Sequence, residues 1–246
     1  MKVAAVVVSH GHPGELAACL PALRPQVDEL VLIANVPGSV PDGVEAVHNE
    51  RPLGYGANVN LGVARTSAEL VVAVNPDTVA EPDAVALLRG FMDAHGRCGI
   101  AGPQMRFPDG TWQPSRRRFP TVTGTLVRRT PLRRWVRQEH HLHLDEEQPA
   151  GPVEADWMLG GFLMLRRTML DELGGFDEGY RLYGEDIDLA YRAAAAGWER
   201  WYVPAAVVRH EHKAVTDKRF LTRRTLWHWR GIARFVRKHP ERLRAL

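Results

Sequence analysis

The sequence predicts an α/β fold with a mostly parallel central sheet and flanking helices. Short β-branched runs alternate with helical stretches through the first half of the 246-residue chain, as crossovers between parallel strands require. The apolar fraction of 45% and the charged fraction of 25% are those of an ordinary globular protein. Apolar runs stay shorter than the roughly 18 residues that cross a bilayer, and the apolar start has no small-residue cleavage site. We therefore expect a cytoplasmic protein with a sizeable core.

Hydrophobic periodicity predicts the elements of the first half. Apolar, β-branched runs predict strands at residues 3–8, 30–33, 44–48, 70–74 and 100–105. The patterns between them predict helices at residues 15–23, 57–65 and 82–95. Asp109-Gly110 then predicts a hairpin turn.

The second half begins with a segment that we expect to be rich in loops. Residues 116–152 are basic and contain several histidines, and His140, His141 and His143 are interpreted as loop residues and not as metal ligands. Regular patterning then predicts a strand at 156–165, helices at 168–173 and from Glu185, and strands at 201–203 and 207–209.

Basic residues are concentrated at the end of the chain. Residues 213–246 carry eleven Lys and Arg against two Asp and Glu, a balance of +9, which leaves about −6 for residues 1–212 within the total of +3. This division predicts a main domain at 1–212 and a basic, amphipathic, helical extension at 213–246. The high isoelectric point therefore gives little support for nucleic-acid binding by the main domain. Cys19 falls within a predicted helix and Cys98 lies next to a predicted strand, which favours reduced, buried thiols.

An acidic pair begins the helix at Glu185. Gly174 and Gly175 suit the left-handed turn that ends the preceding helix, and Glu185 and Asp186 occupy the first turn of the next one. The positive end of a helix holds carboxylates ionised, and an ionised carboxylate can act as a general base. Taken alone, such a pair is more often a simple helix cap. The buried side of this helix is expected to carry Ile187, Leu189, Ala190, Ala193 and Ala194.

Polar residues follow three of the predicted strands. Ser9 and His10 follow the first, Asn35 follows the second, and Asn75 and Asp77 follow the fourth. Ligands of parallel sheets bind outside the carboxyl ends of the strands, so we expect these side chains to meet at one edge. A carboxylate at Asp77 suits a divalent cation that in turn holds a diphosphate, and it equally suits a helix cap.

Five segments occur in a fixed order over residues 1–212: VVVSHGHPGELAACLPAL, NERPLGYGANVNLGVARTSAELVVAVNPDT, GPQMRFPDGTWQPSRRRFPT, DWMLGGFLMLRR and GGFDEGYRLYGEDIDLAYRAAAAGWERWYVPAAVVRH. Together they resemble family 2 glycosyltransferases of the GT-A fold, especially the bacterial rhamnosyltransferase-like branch. The resemblance implies a nucleotide-diphosphate-sugar donor, a divalent cation (Mg²⁺ or Mn²⁺), and inversion at the anomeric carbon.

The resemblance also implies roles for particular residues. Asp77 matches the last acidic residue of the family's metal-binding DxD-type motif, present here as NPDT, and Asp186 matches the catalytic base, with Glu185 as the reserve candidate. Gly160 and Gly161 match a small-residue segment that lines the donor sugar and the acceptor. His210, which by itself is more often structural than a ligand, matches a histidine that reaches the metal or the diphosphate.

One departure from the family concerns the nucleotide. Where the family has an Asp-Asn pair after the second strand, this chain has Ala34-Asn35, so a carboxylate that contacts the base or ribose is missing. Asn35, Asn49, Arg51 and Asn58 are candidates to replace it, and each equally suits a turn or a helix contact. The predicted nucleotide-sugar site is completed by Ser9, His10 and Asn75. The branch is most often associated with rhamnose, so we expect a dTDP- or UDP-sugar donor.

The basic extension leaves two interpretations open. Its aromatic and basic residues at 218–238 suit an anionic membrane surface near a lipid-linked acceptor, and they equally suit a helix packed on the domain with a solvated basic face. A glycan, a lipid-linked sugar or a small molecule is expected as the acceptor. The arginines at 116–118 suit binding of an acceptor phosphate and also suit a solvated surface, and we favour the former. The expected location is the cytoplasm, including the inner face of the membrane.

Two functions from other classes are weaker interpretations. A sugar nucleotidyltransferase needs a Gly-rich basic loop after the first strand, and SHGHPGE contains neither Lys nor Arg. A non-catalytic nucleic-acid-binding protein accounts for the basic extension but leaves Asp77 and Asp186 without a function. We therefore expect no nucleic-acid partner.

Overall fold

The computed structural model describes residues 1–119, 148–211 and 223–240, apart from the side chains of 223–226 and of 228. His140, His141 and His143 lie outside the described residues, as do much of the segment 116–152 and both ends of the extension 213–246.

The described residues form twelve strands. They are β1 (Val3–Ser9), β2 (Glu29–Ala34), β3 (Val47–His48), β4 (Leu70–Val74), β5 (Thr78–Ala80), β6 (Cys98–Arg106), β7 (Trp112–Gln113), β8 (Arg116–Arg117), β9 (Val153–Glu154), β10 (Trp157–Met158), β11 (Phe162–Arg166) and β12 (Glu199–His210). The five strands predicted for the first half are all present. The short β5, which follows Asp77, was not predicted.

Ten of these strands form one sheet with the order β3-β2-β1-β4-β11-β6-β12-β5, to which β7 and β9 add through β6 and β12. Strands β3, β2, β1 and β4 pair in parallel, as do β6 and β12. Strand β11 lies antiparallel between β4 and β6. Because β11 opposes both neighbours, β6 and β12 point the same way as β4. This confirms the mostly parallel central sheet.

Six α-helices cover the sheet within the described residues. They are α1 (Pro13–Leu23), α2 (Tyr55–Val63), α3 (Ala84–Ala94), α4 (Arg167–Leu173), α5 (Glu185–Ala195) and α6 (Arg223–Lys238). Strand β1 shows why two layers form: Val3, Ala5 and Val7 pack in one apolar cluster with α1 and α3, whereas Val6 and Val8 pack in a second cluster with α2, α4 and α5. The period-2 alternation of a strand thus produces an α/β/α sandwich.

Two predictions for the second half were wrong in detail. The strand predicted at 156–165 is two strands in different sheets, because Gly160-Gly161 interrupts it and β10 pairs with β8. The strands predicted at 201–203 and 207–209 are one strand, β12, with an irregular register between Val203 and Val207. The Asp109-Gly110 hairpin is confirmed, since β6 and β7 pair antiparallel around it.

The two cysteines are buried, free thiols at the predicted kinds of position, Cys19 within α1 and Cys98 at the start of β6. Burial raises the pKa of each thiol to about 12, with a smaller contribution from Asp77 in the case of Cys19. Both thiols are therefore protonated and unreactive at neutral pH.

None of the helices in the described parts of the chain is long and apolar enough to cross a membrane.

Gly62 lets α2 approach β1, and its substitution gives a test of this packing. A Cβ atom at Gly62 would overlap the Val6 side chain, whereas a Cβ atom at Gly90 in α3 would meet open space. We expect Gly62→Ala to destabilise the protein by about 1–2 kcal/mol net, since overpacking outweighs the gain in helix propensity. Gly90→Ala is expected to stabilise it by roughly 0.5–1 kcal/mol. Thermal unfolding of both variants checks this, and shifts of equal sign would contradict it.

Candidate active site

Four chain segments meet at one edge of the central sheet because of the strand directions. Strands β4 and β12 run the same way, so Asp77, just after β4, lies at the edge where β12 ends in His210. Strand β11 runs the opposite way, so the Gly160-Gly161 segment before it reaches the same edge. The start of α5 comes to this edge as well, through a contact between Asp186 and Gly160. The structure therefore brings together the two halves of the site that the sequence predicted.

Asp77 and His210 form a pair at this edge. The Nε2 atom of His210 lies 3.5 Å from Oδ2 of Asp77, and the His210 side chain is 9% exposed. The Nδ1 atom of His210 lies 3.0 Å from Oε1 of Gln113. Because an amide oxygen accepts, Nδ1–H donates this hydrogen bond, and Nε2 is directed toward Asp77. Oδ1 of Asp77 is buried and has no hydrogen-bond partner among the described residues.

This pair has the chemistry of a divalent-cation site. A buried carboxylate oxygen without a donor is costly unless a cation compensates it, and an imidazole oriented by a second hydrogen bond is a typical metal ligand. The described residues contain no group of three or more His, Cys, Asp or Glu that could hold a metal ion. Mg²⁺ and similar ions are often held by one or two protein ligands together with substrate phosphates and water. The residues present fit a cation that is shared with a diphosphate.

The Gly160-Gly161 segment connects the pair to the acidic helix start. The backbone N–H of Asn75 donates to the Gly161 carbonyl at 2.8 Å. A Cβ atom on Gly161 would lie 3.7 Å from Nδ2 of Asn75 and 3.8 Å from Nε2 of His210. The N–H of Gly160 donates to Oδ2 of Asp186 at 3.3 Å. The segment thus separates the Asp77 side of the site from the Asp186 side.

The acidic pair begins α5 after a left-handed turn. Tyr183 and Gly184 have φ angles of 69° and 100°, and Glu185 follows directly. Gly174, with φ of 70°, ends α4 as predicted. Glu185 is 7% exposed, and its buried Oε2 has no hydrogen-bond partner in the described parts of the chain. Oδ1 of Asp186 accepts from the Ile187 N–H at 2.9 Å.

Burial opposes the ionisation of this acidic pair. It raises the pKa of Glu185 above its ordinary value, and the neighbouring charge of Asp186 raises it further. Burial also raises the pKa of Asp186, against smaller opposing effects of the Ile187 and Gly160 N–H groups and of the Arg117 charge. The helix start therefore favours the ionised forms of these two carboxylates less than the sequence pattern predicts. Raised pKa values bring both groups closer to the range in which a carboxylate accepts a proton efficiently.

The buried face of α5 also differs from the prediction. Leu189, Ala190 and Ala193 are buried as predicted, whereas Ile187 and Ala194 are only half-buried. The fully buried residue of the first turn is instead Asp188, which is 0% exposed.

Asp188 is buried because basic side chains surround it. Arg192 lies 2.7 Å from it, Lys238 lies 2.8 Å away and His239 lies 3.0 Å away. Burial raises the pKa of Asp188, but hydrogen bonds from Lys238, His239 and Arg192 outweigh this and hold the pKa below its usual range. Two of these residues belong to α6 or follow it, so the described part of the basic extension packs on α5.

Tyr55 is a site residue that the sequence reasoning missed. Its hydroxyl donates to the Gly160 carbonyl at 3.0 Å. Burial raises the pKa of Tyr55, and the charges of Glu185, Asp186 and Asp77 raise it further. The hydroxyl therefore stays protonated between the two acidic sides of the site. The only available signal was an aromatic residue between two glycines at the start of a predicted helix.

The amide residues near the end of β2 form a connected network. Asn49 donates to the side-chain oxygens of Asn35 and Asn58, at 2.9 and 2.6 Å. Asn35 also lies 2.8 Å from Nδ1 of His10, and Asn58 donates to the Gly54 carbonyl at 2.8 Å. Asn58 is 0% exposed, so it holds this loop from the interior of the protein. His10 is exposed at the sheet edge.

The remaining predicted residues lie around the same network. Ser9 is fully buried, and its hydroxyl donates to the Ser39 carbonyl at 2.6 Å. Arg51 is exposed, and Ala34, the departure from the family pattern, is buried at the end of β2. Arg116 and Arg117 form β8, which pairs with β10 next to Gly160. The arginine segment is thus on the Asp186 side of the site.

Comparison with known protein families gives one clear match. The family described as "Glycosyltransferase like family 2" matches residues 5–228. An N-acetylglucosaminyl-diphospho-decaprenol L-rhamnosyltransferase of Mycobacterium tuberculosis is 34% identical over 243 residues, which cover 87% of this chain and 76% of that protein. Rhamnosyltransferase WbbL of Escherichia coli is 25% identical over 196 residues, with 74% and 70% covered.

Solved structures share the fold at low sequence identity. A GalNAc-T7 structure with UDP, GalNAc and Mn²⁺ matches with a TM-score of 0.68 and 15% identity over 96% of this chain. The mannosyltransferase PcManGT of Pyrobaculum calidifontis, with GDP-Man and Mn²⁺, matches with a TM-score of 0.62 and 16% identity over 98% of this chain. The chain spans 48% of the first structure and 64% of the second. Both are glycosyltransferases of the GT-A fold, which confirms the predicted fold class.

Proposed function

The chain belongs to glycosyltransferase family 2, and from this premise we propose that it moves L-rhamnose from a nucleotide-diphosphate donor to an acceptor hydroxyl with inversion at the anomeric carbon. The observation that carries the proposal is the arrangement of Asp77 and His210 on one side of Gly160-Gly161 and of Asp186 on the other. Rhamnosyltransferases among the relatives support the sugar. Family membership also argues against the nucleotidyltransferase and nucleic-acid-binding interpretations.

Asp77 and His210 are the residues that would hold a divalent cation. The cation supplies charge neutralisation of the departing nucleoside diphosphate. Gln113 would fix the His210 ring through Nδ1, so that Nε2 stays available as a ligand. Solved relatives in fold contain Mn²⁺, which supports the choice of cation.

Asp186 acts as the general base in this proposal. An acceptor hydroxyl is a poor nucleophile at neutral pH, and a carboxylate within reach of it takes its proton as the new bond forms. The contact between Asp186 and Gly160 supports this assignment, because Gly160 belongs to the segment proposed to line the donor sugar. Glu185 is buried, whereas Asp186 is half-buried, and Glu185 is the reserve candidate.

The Tyr55 hydroxyl holds the Gly160 carbonyl and thereby fixes the segment between donor and base. We assign it a positioning function.

The acceptor in this proposal is a sugar linked through a diphosphate to a polyprenyl lipid. The Mycobacterium tuberculosis relative, whose name states such an acceptor, supports this choice. The amide network of Asn35 and Asn49, together with His10, would contact the nucleotide where the family's carboxylate is replaced by Ala34.

A donor panel tests the proposal. UDP-, dTDP- and GDP-sugars, each with Mn²⁺ or Mg²⁺, are offered to the full-length protein, and thermal stabilisation and donor hydrolysis are measured. We expect a dTDP- or UDP-linked sugar to stabilise the protein in a cation-dependent way, and NMR of the transfer product to show the inverted anomer. Stabilisation by none of the donors, or a retained anomer, would contradict the proposal.

A further inference from the structure

A cationic groove lies between the loop before α5 and the helix α6. It has a volume of about 430 Å³, and the residues important here are Arg181, Trp227, Arg230, Gly231, Arg234 and Arg237. We refer to it as the arginine groove. It is separate from the Asp77 side of the site and was not predicted from the sequence.

Among the described residues, the arginine groove carries more positive charge than its neighbours neutralise. Its described lining contains four arginines and no acidic residue. Arg234 pairs with Asp177 at 2.7 Å, but Asp177 is shared with Lys238, which lies 2.6 Å from it. For the other three arginines, the described part of the chain supplies no ion pair. Guanidinium groups gathered in a groove repel one another, and a bound anion with several oxygens relieves that repulsion through charge-assisted hydrogen bonds.

The way in which two of the arginines are held favours a phosphate-type anion. The Arg181 guanidinium stacks over the Trp227 ring at 5.2 Å, which holds one donor in a defined position. Arg234 is fixed by its two contacts with Asp177, at 2.7 and 3.1 Å. Planar guanidinium groups bind phosphate oxygens in a bidentate manner, so arginines are better suited to this ligand than lysines.

The groove adjoins the proposed base. Gly231 packs so closely on the turn before α5 that a Cβ atom there would lie 2.5 Å from the Tyr183 carbonyl oxygen. Asp186 follows Tyr183 by three residues, which limits the separation of their Cα atoms to about 11 Å. Contacts thus run from the Asp77 pair through Gly160-Gly161 and Asp186 to the groove. The groove is thus close to Asp186 along the chain, and its lining includes neither Asp77 nor His210.

We propose that the arginine groove binds the diphosphate of the acceptor substrate, and so places the acceptor hydroxyl at Asp186. The proposal rests on the glycosyltransferase function proposed above and specifies the acceptor as a diphosphate ester. In this proposal, a sugar that carries a diphosphate at one carbon and the reacting hydroxyl at another connects the groove with Asp186. A membrane headgroup offers the same phosphate chemistry, and the experiment separates the two.

Two acceptors that differ only in the diphosphate provide the kinetic test. One is a water-soluble alkyl diphosphate of the acceptor sugar, and the other is the alkyl glycoside of the same sugar. In the double variant Arg230→Gln/Arg237→Gln, we expect the KM for the diphosphate acceptor to rise about tenfold or more, with the KM for the glycoside and for the donor unchanged. Arg230→Lys/Arg237→Lys should recover part of the loss. Arg89→Gln, an exposed arginine on α3, is the matched control and should leave all three constants unchanged.

The other kinetic outcomes overturn the proposal. Equal effects on both acceptors, or no effect on either, would show that the groove does not recognise the diphosphate. If the double variant loses binding to vesicles of anionic phospholipid while its acceptor KM stays unchanged, the groove belongs to a membrane contact instead.

A direct binding measurement keeps this proposal distinguishable from the proposed function. Inorganic pyrophosphate, with a chelator present to exclude cations at Asp77, should raise the melting temperature of the unmodified protein and not that of the double variant. If this shift is observed but the protein transfers no sugar, the absence of transfer refutes the proposed function, while the shift still supports the anion site. The absence of any shift in the unmodified protein would overturn the groove as a diphosphate site.

Discussion

Replacement of Asp186 by Asn is expected to remove sugar transfer while donor binding persists. The N–H groups of Gly160 and Ile187 donate to different oxygens of Asp186, so the amide oxygen of Asn keeps one of these two hydrogen bonds, and the side chain keeps the shape of the carboxylate. An amide cannot take a proton from the acceptor hydroxyl, and loss of general base catalysis costs about 10²–10⁴ in kcat. Steady-state kinetics and calorimetric titration with the donor measure the two effects separately. Full activity of Asp186→Asn would contradict the assignment of the base.

Glu185→Gln is the matched control, because it changes the neighbouring carboxylate in the same way. We expect this variant to retain turnover. If Glu185 were the base, the result would be the opposite, with turnover lost in Glu185→Gln and retained in Asp186→Asn.

The pH profile gives an independent test of the same assignment. A base acts only when deprotonated, so kcat/KM falls as the pH falls through the pKa of the base in the free enzyme. Because burial raises the pKa of Asp186, we expect this fall at a higher pH than that of an ordinary aspartate. The fall should persist in Glu185→Gln. Its disappearance in that variant would assign it to Glu185.

The sequence was sufficient to predict the edge of the sheet at which the candidate site residues meet. Asp77 follows β4 and His210 ends β12, and the direction of parallel strands determines that such residues share an edge. Strand β11 is an exception to this parallel arrangement, and it also contributes to the candidate site. Its antiparallel insertion between β4 and β6 brings Gly160-Gly161 to the same edge, and no local pattern distinguishes an antiparallel strand from a parallel one.

Properties that depend on packing could not be predicted. The ionisation of Glu185 and Asp186 is determined by their burial, which the helix-start pattern does not contain. Asp188 was not among the residues predicted for the buried side of α5, but it is buried because Lys238 and His239, about 50 residues further along the chain, pair with it. Tyr55 contacts a residue 105 positions away, through its hydrogen bond to Gly160. Each of these features depends on contacts between distant parts of the chain.

Replacement of Asp77 by Asn is expected to raise the concentration of Mn²⁺ or Mg²⁺ required for activity by about 100-fold, because the variant loses the only carboxylate of the proposed cation pair. The amide still fills the space of the carboxylate, so the fold should be preserved. Titration of turnover against the cation measures the midpoint, and direct cation binding measured by calorimetry in the presence of the nucleoside diphosphate provides a readout independent of turnover. Asp171→Asn removes an exposed carboxylate on α4 and should leave the midpoint unchanged.

Replacement of Gln113 is expected to have a smaller effect than replacement of Asp77, because Gln113 contacts the proposed cation site through His210. Gln113→Leu removes the acceptor at 3.0 Å from Nδ1 of His210, so the imidazole loses its fixed orientation and proton position. We expect the cation midpoint to rise by about 10-fold, less than in Asp77→Asn, since outer partners of metal ligands contribute less than the ligands themselves. An unchanged midpoint in both Asp77→Asn and Gln113→Leu would show that the pair does not hold the cation. A larger effect in Gln113→Leu than in Asp77→Asn would assign the ligand function to His210 alone.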